Sequence, residues 1–176
     1  EVKMPADLIE HLISNLSPEK RIQVYSKMET ATGDTLIHCA VRKEYFKCVM
    51  VILGSLKNNS YCYEILCAKN HQGETALYLC KEVEMLKLLL NYLDHSSISL
   101  LISSVSNANR TVLQSSLHAN NHALFRELLP RVQMQDKLRV LTVRDNTNGW
   151  GLLDSIIHLD SEYLLSLTHS RRSPTV

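Results

Sequence analysis

The chain has 176 residues, 45% of them apolar, and 19 basic against 18 acidic side chains give a net charge of +1. That supports one ordinary domain or a short repeat array, and the balanced charge leaves no electrostatic footprint for nucleic acid or acidic lipid. No apolar run approaches the ~18 residues of a membrane span and no signal peptide is visible, while five cysteines, none beyond Cys80 and none in a Cys-x-x-Cys pair, argue against a disulfide framework and for a reducing compartment, cytoplasmic with the nucleus included.

In chain order, "ADLIEHLISNL" (6–16) and "EKRIQVYSKM" (19–28) come first. Then a pattern recurs: "GDTLIHCA" from Gly33, "GETALYLC" from Gly73, "NRTVLQSS" from Asn109 and "GWGLLDSI" from Gly149, at intervals of 40, 36 and 40. A second apolar run follows each start: "YFKCVMVILGSL", "VEMLKLLLNYL", "HALFRELLPRV" and "SEYLLSLTH". A third precedes each: "EKRIQVYSKM", "YCYEILCAKN", "SISLLISSVSN" and "DKLRVLTVRDN". Apolar spacing such as Leu86, Leu89, Leu90, Leu93 is helical; only "LRVLTVRD" admits a strand. Leu16, Leu56, Tyr92 and Val132 each lie 19 residues before positions 35, 75, 111 and 151, so "ADLIEHLISNL" reads as the second helix of a unit without its first.

The residue types suit turn-then-helix starts. Gly33 and Gly73 fall where a positive φ is expected, and Asn109 is the next most tolerant residue. Thr35, Thr75 and Thr111 are placed to cap a helix, at ~1 kcal/mol each. The second copy is contracted: only "KEVE" separates "LYLC" from "MLKLLL", about three residues fewer than elsewhere.

This pattern resembles the ankyrin repeat, whose core motif runs Gly-x-Thr-Pro-Leu-His-x-Ala. Gly33, Thr35, Ile37, His38 and Ala40 match it; so do Gly73, Thr75 and Leu77, then Thr111 and Leu113, then Gly149 and Leu153. Leu36, Ala76, Val112 and Leu152 replace the motif's proline, and the units exceed the family's ~33 residues, which marks a divergent member. The resemblance implies an all-α repeat solenoid, an ankyrin-type stack of helix-turn-helix repeats with an extra short helix in each inter-repeat segment. It would be a single domain over 1–170: an N-terminal half-repeat (5–29), repeats at 30–69, 70–105 and 106–145, and a degenerate C-terminal repeat (146–168). A disordered tail (169–176) would follow. Arg171-Arg172-Ser173-Pro174 in that tail is a kinase-target pattern in an otherwise solvated segment.

Candidate chemistry is sparse. His118 and His122 form His-x-x-x-His, but the pair spans a predicted turn and no third ligand is placed nearby, so no metal is expected. No nucleophile, phosphate-loop or zinc-protease signature appears, and no cofactor or enzymatic activity is expected. Trp150, between Gly149 and Gly151, reads equally as a binding anchor and as a cover for the end of the stack. Asn58 and Asn109 begin Asn-x-Ser/Thr triplets without consequence in a cytosolic chain.

The function the resemblance implies is a non-catalytic, regulatory protein-binding module that uses turn tips and a concave inner-helix face. The start "GDTLIHCAV" is similar to the first repeat of inhibitor-of-NF-κB-type proteins. The alternative is a targeting or regulatory ankyrin region of a larger enzyme, channel or secreted bacterial effector; the start at Glu1 and the half-repeat favour a piece of a longer protein. The positions the family presents to partners correspond here to Thr32, Asp34, Arg42 and Lys43; to His71, Gln72, Glu74 and Glu82; to Asn109, Arg110, His118 and Ala119; and to Asn148, Trp150, His158 and Leu159. Self-association through the N-terminal half-repeat is a further expectation, because Leu8, Ile9, Leu12, Ile13 and Leu16 cover a wide arc.

Overall fold

A residue with positive φ fixes where a chain can turn, and the four unit starts carry one each: Gly33 (73°), Gly73 (72°), Asn109 (53°) and Gly149 (72°). The computed structural model describes residues 6–56 and 59–159. Each of these turns is closed by the same backbone bond, from Glu29, Asn70, Ser106 and Asp145 N–H to the carbonyls of Asp34, Glu74, Arg110 and Trp150. Each is also tied to the next: His71, Asn107 and Asn146 donate their N–H groups to the carbonyls of Thr32, Gln72 and Ala108, at 3.0, 2.9 and 2.8 Å. The approach is close enough that a Cβ on Gly33 would lie 2.6 Å from the His71 nitrogen, and one on Gly73 2.7 Å from that of Asn107. Gly149 has nothing within 4 Å of that position.

Among the described residues there are eleven α-helices, two 3-10 turns and no strand beyond an isolated Val105–Thr111 bridge. α1 (Ala6–Ile13) and α2 (Pro18–Tyr25) precede the first turn. α3 (Leu36–Arg42), α4 (Phe46–Gly54) and α5 (Asn59–Cys67) follow it. The second turn leads to a 3-10 turn (Ala76–Leu79), α6 (Val83–Leu90) and α7 (His95–Ser103). The third leads to α8 (Val112–His118), α9 (His122–Leu128), a 3-10 turn (Leu129–Arg131) and α10 (Met134–Thr142). α11 (Leu152–Leu159) follows the fourth. The strand reading of "LRVLTVRD" gives way to α10, where Asp136 and Val140 point inward at helical spacing. The second run of the last unit, the tail and the Arg171–Ser173 pattern lie outside the described residues.

The helices contact one another in rows. α3, the Ala76–Leu79 turn, α8 and α11 form one; α1, α4, α6 and α9 form the other. The second row carries much of the core, with Val49, Ile52, Met85, Leu86, Leu89 and Phe125 fully buried. α1 joins it through Ile9 and Ile13 and leaves Leu8 and Leu12 exposed. Arg21 of α2 donates to the carbonyls of Ile13 (3.2 Å) and Ser55 (2.7 Å), which stitches α1 to the end of α4.

The third residue after each threonine links one unit to the next. His38 Nε2 lies 3.1 Å from the Glu74 carbonyl. The Tyr78 hydroxyl is shared between the carbonyls of Arg110 (2.7 Å) and Ser104 (2.8 Å). Gln114 Nε2 donates to the carbonyls of Trp150 (3.1 Å) and Val143 (3.3 Å). Three different side chains thus add a second hydrogen bond to the turn carbonyls of Glu74, Arg110 and Trp150, each already paired with a backbone N–H of its own turn. The fourth counterpart, Asp154, turns to its own helix and accepts from Gly151 N–H at 2.9 Å.

The capping expectation holds in two units of three. Thr111 Oγ1 accepts from Gln114 N–H, and the Gln114 amide oxygen in turn accepts from Thr111 N–H. In the first unit His38 Nδ1 takes the amide role: it accepts from Thr35 N–H at 3.2 Å and lies 2.8 Å from the hydroxyl. Thr75 does not cap; its hydroxyl oxygen is buried without a hydrogen-bond partner. Tyr78 reaches away to the next turn and can return nothing to it.

Candidate functional site

The face built by turn tips and first helices carries the positions expected to meet a partner. Thr32 is exposed; its hydroxyl donates to Glu29 (2.6 Å) and accepts from Asp34 N–H (3.1 Å). Asp34 is buried rather than presented to solvent, and its carboxylate accepts from Arg42 Nε and Nη2 (3.1 and 2.8 Å) and from Asn70 Nδ2 (3.0 Å). Burial alone would raise its pKa, but these donors outweigh burial and hold it below the ordinary carboxylate value. Arg42 remains half exposed above it, and Lys43 is exposed. In the second unit His71, Gln72 and Glu82 are exposed, while Glu74 is half-buried with its carbonyl facing His38.

The third and fourth units converge. Asn109 and Arg110 are half-buried rather than presented to solvent. Asn109 Nδ2 donates to the Arg144 carbonyl at 2.8 Å. Arg110 Nε donates to Asp145 at 2.6 Å and its Nη2 to Thr147 at 3.0 Å. The Asp145 side chain is fully buried. Its burial pushes toward protonation, yet Thr147 and Arg110 hold its carboxyl below the ordinary value. His118 Nε2 lies 3.6 Å from the same carboxylate, beyond hydrogen-bond length. Burial first, then the Arg110 charge, keep His118 below the ordinary histidine pKa against the pull of Asp145.

Trp150 is half-buried between two imidazoles. Its ring stacks on His158 with centroids 4.6 Å apart and on His118 at 6.5 Å. Three expected positions, His118 from α8 and Trp150 and His158 from the fourth turn and the helix after it, therefore form one aromatic ridge beside the Arg110–Asp145 pair. Ala119 and Asn148 are exposed beside it; Asn148 uses its side-chain oxygen to accept from Trp150 N–H (2.9 Å). Leu159 ends α11, and its side chain lies outside the described residues.

A cleft was missed at the sequence level. The first helix has seven residues in the first and third units, α3 and α8, but the second unit keeps only the four-residue 3-10 turn. Cys80 after it is extended. The missing turn leaves a cleft of about 310 Å³, walled by Arg42, Lys81, Ser115 and Ala119 over a floor that includes Leu77 and Val112. Its sequence signal was the three-residue contraction before "MLKLLL".

Among the described residues, no group of three His, Cys, Asp or Glu side chains is placed to hold a metal ion, and no helix is long and apolar enough to cross a membrane. His118 closes α8 and His122 opens α9, so the His-x-x-x-His pair straddles a helix junction. All five cysteines are free, and burial raises each thiol pKa, Cys80 to about 12, which keeps them protonated and poorly nucleophilic. Compared with known protein-family models and with curated proteins, the chain matches none.

Proposed function

We propose that the chain is a divergent ankyrin-type repeat stack that binds another protein, in a regulatory and non-catalytic role, through its turn tips and the concave face of its first helices. The observation that carries this reading is the row of turns. Each donates a backbone hydrogen bond to its predecessor, so the exposed tips at Thr32, His71, Gln72 and Asn148 are held at fixed spacing. A rigid, extended row of polar tips loses little entropy when it docks on a folded surface. The aromatic ridge of His118, Trp150 and His158 lies at one end of that row, and tryptophan is enriched among residues that dominate binding energy. Exposed charge of both signs along the face, Lys43 and Lys81 against Glu82, suits a protein better than a polyanion.

Photo-crosslinking tests the reading. A photoreactive side chain replacing Gln72 or Asn148 at the tips should capture a discrete protein from cell extract, and one replacing Glu84 on the opposite row should not. Equal capture at all three positions, or none at the tips, would refute it.

A further inference from the structure

We propose that the cleft left by the shortened second unit is a docking pocket for an acidic segment of a partner protein, which seats one apolar side chain on the cleft floor and a neighbouring carboxylate against Lys81 and Arg42. The proposal rests on the protein-binding reading above and specifies the chemistry of the partner.

The cleft exists because of where the chain is short. In the first and third units the first helix runs a full seven residues and closes with a Schellman turn, at Glu44 (φ 58°) and Asn120 (φ 54°). The second unit has neither the last turn of helix nor the left-handed residue; the chain goes from Leu79 through extended Cys80 to Glu82, the cap of α6. α3 and α8 flank the missing turn from either side. They are neighbours of the shortened unit rather than of each other, and cannot move together to fill the space without breaking the turn-to-turn hydrogen bonds.

What lines the space decides what fits it. The floor is apolar: Leu77 and Val112 are buried beneath it, and Cys80 serves there as a small apolar surface. At about 310 Å³ the cleft sits at the lower limit of drug-sized ligand pockets (roughly 300–1,000 Å³). Ala119 and Lys81 on its wall are exposed, so an occupant anchored in it can continue across the face. Among the described residues, the charged ones that line the cleft are Arg42 and Lys81, both cationic. Arg42 is half exposed although bonded to Asp34, and Lys81 is exposed. A carboxylate entering beside the apolar anchor therefore gains charge-assisted hydrogen bonds and meets no like charge on the cleft wall.

The test uses the purified chain and a displayed random-peptide library, with enriched peptides resynthesised and measured by fluorescence anisotropy. Enriched sequences should carry Asp or Glu next to Leu, Ile, Phe or Met. Lys81→Glu should weaken them by about tenfold or more, and exchanging the peptide's acid for lysine should restore binding to that variant. Ser115→Trp, which fills the cleft from its wall, should abolish binding; its melting temperature reports whether it folds, and Lys81→Glu, at an exposed position, keeps the test decisive if it does not. Basic or uncharged winners, acidic peptides indifferent to both variants, or a cleft closed by a second copy of the chain in sedimentation overturn the proposal. Peptides indifferent to both variants but lost when Gln72 and Asn148 are changed overturn the cleft alone and leave the protein-binding reading standing. An absence of binding at cleft and tips alike overturns both.

Discussion

Three threonines occupy the same motif position, and replacing each with valine should not have the same sign. Valine is nearly isosteric with threonine and suits the extended backbone that all three adopt, with ψ of 173°, 169° and 162° at Thr35, Thr75 and Thr111. At Thr111 the change removes a hydroxyl that accepts from Gln114 N–H and donates to its amide oxygen, inside a residue with no exposed surface. Loss of the cap costs about 1 kcal/mol, and the buried N–H left behind adds to it, for a total of about 1–3 kcal/mol. Thr35→Val loses the contact to His38 Nδ1 while Thr35 N–H keeps its bond to that nitrogen, so its cost lies near the lower end, about 1 kcal/mol. At Thr75 the hydroxyl is buried with no partner, and burying an unsatisfied hydroxyl costs roughly 1–3 kcal/mol on protein mutational scales. Thr75→Val replaces that cost with a buried methyl group and should stabilise by about 1 kcal/mol. Urea titrations of the three variants, supported by melting temperatures that move about 2–4 °C per kcal/mol in a chain of this size, read the sign directly. If Thr75→Val destabilises as much as Thr111→Val, then Thr75 caps its helix and the assignment of Tyr78 to the next turn is wrong.

Leu89→Ala should cost about 2–5 kcal/mol, since Leu89 is fully buried in the second row of helices; an unchanged urea midpoint would contradict that placement. Glu44 holds a left-handed turn at φ 58°, where Asn120 stands in the third unit, so Glu44→Gly should raise stability by about 1 kcal/mol and an observed loss would show that the glutamate makes a compensating contact. Gly73→Ala should be severely destabilising and Gly149→Ala only mildly so, because only the former drives a Cβ into a neighbouring backbone; equal melting temperatures would contradict the turn packing. His38 is buried with burial first holding its pKa below the ordinary 6.5, so the unfolded chain binds more protons in the window below that value; stability should be flat above pH 6.5 and fall as pH drops toward the folded-state value. His38→Gln, which copies Gln114, should keep the fold and flatten that slope in urea titrations between pH 5 and 7, leaving the share that His118 contributes in the same direction.

The turns were legible because their constraint is local. A positive φ favours glycine first and asparagine next, and that preference recurs at Gly33, Gly73, Asn109 and Gly149 whatever the rest of the unit does. The short third helices were legible from helical spacing in "YCYEILCAK" and "SISLLISSV", although "DKLRVLTV" needed burial of Asp136 and Val140 to separate helix from strand. The polar positions of the face were harder. Asp34 and Arg110 stand in turn segments that read as solvent-facing, yet each pairs inward, Arg110 with a residue 35 positions away. Sequence spacing says nothing about a partner that arrives from the next unit. Asp145 is hidden in the sequence for that reason, although Asp145-x-Thr147 forms a recognisable turn in which the carboxylate accepts from the Thr147 N–H (2.8 Å) and hydroxyl (2.7 Å).

The contraction of the second unit fell on one row of helices and spared the other. Had the residues been lost from α6, the buried surface of Met85, Leu86 and Leu89 would have gone with them, and the continuity from α4 to α9 would have failed. Lost instead from the first-helix row, they removed a turn that would have covered Leu77 and Val112 at the margin of the core. The link to the next unit survived because Tyr78 is longer than the histidine or glutamine found at that position elsewhere, and its hydroxyl reaches two carbonyls across the gap. The cost of that reach is local: Tyr78 no longer serves Thr75, and the Thr75 hydroxyl is stranded. One shortened helix thus accounts for the 3-10 turn, the uncapped threonine, the tyrosine bridge and the cleft together, and it opens that cleft on the face whose tips the turns hold in register.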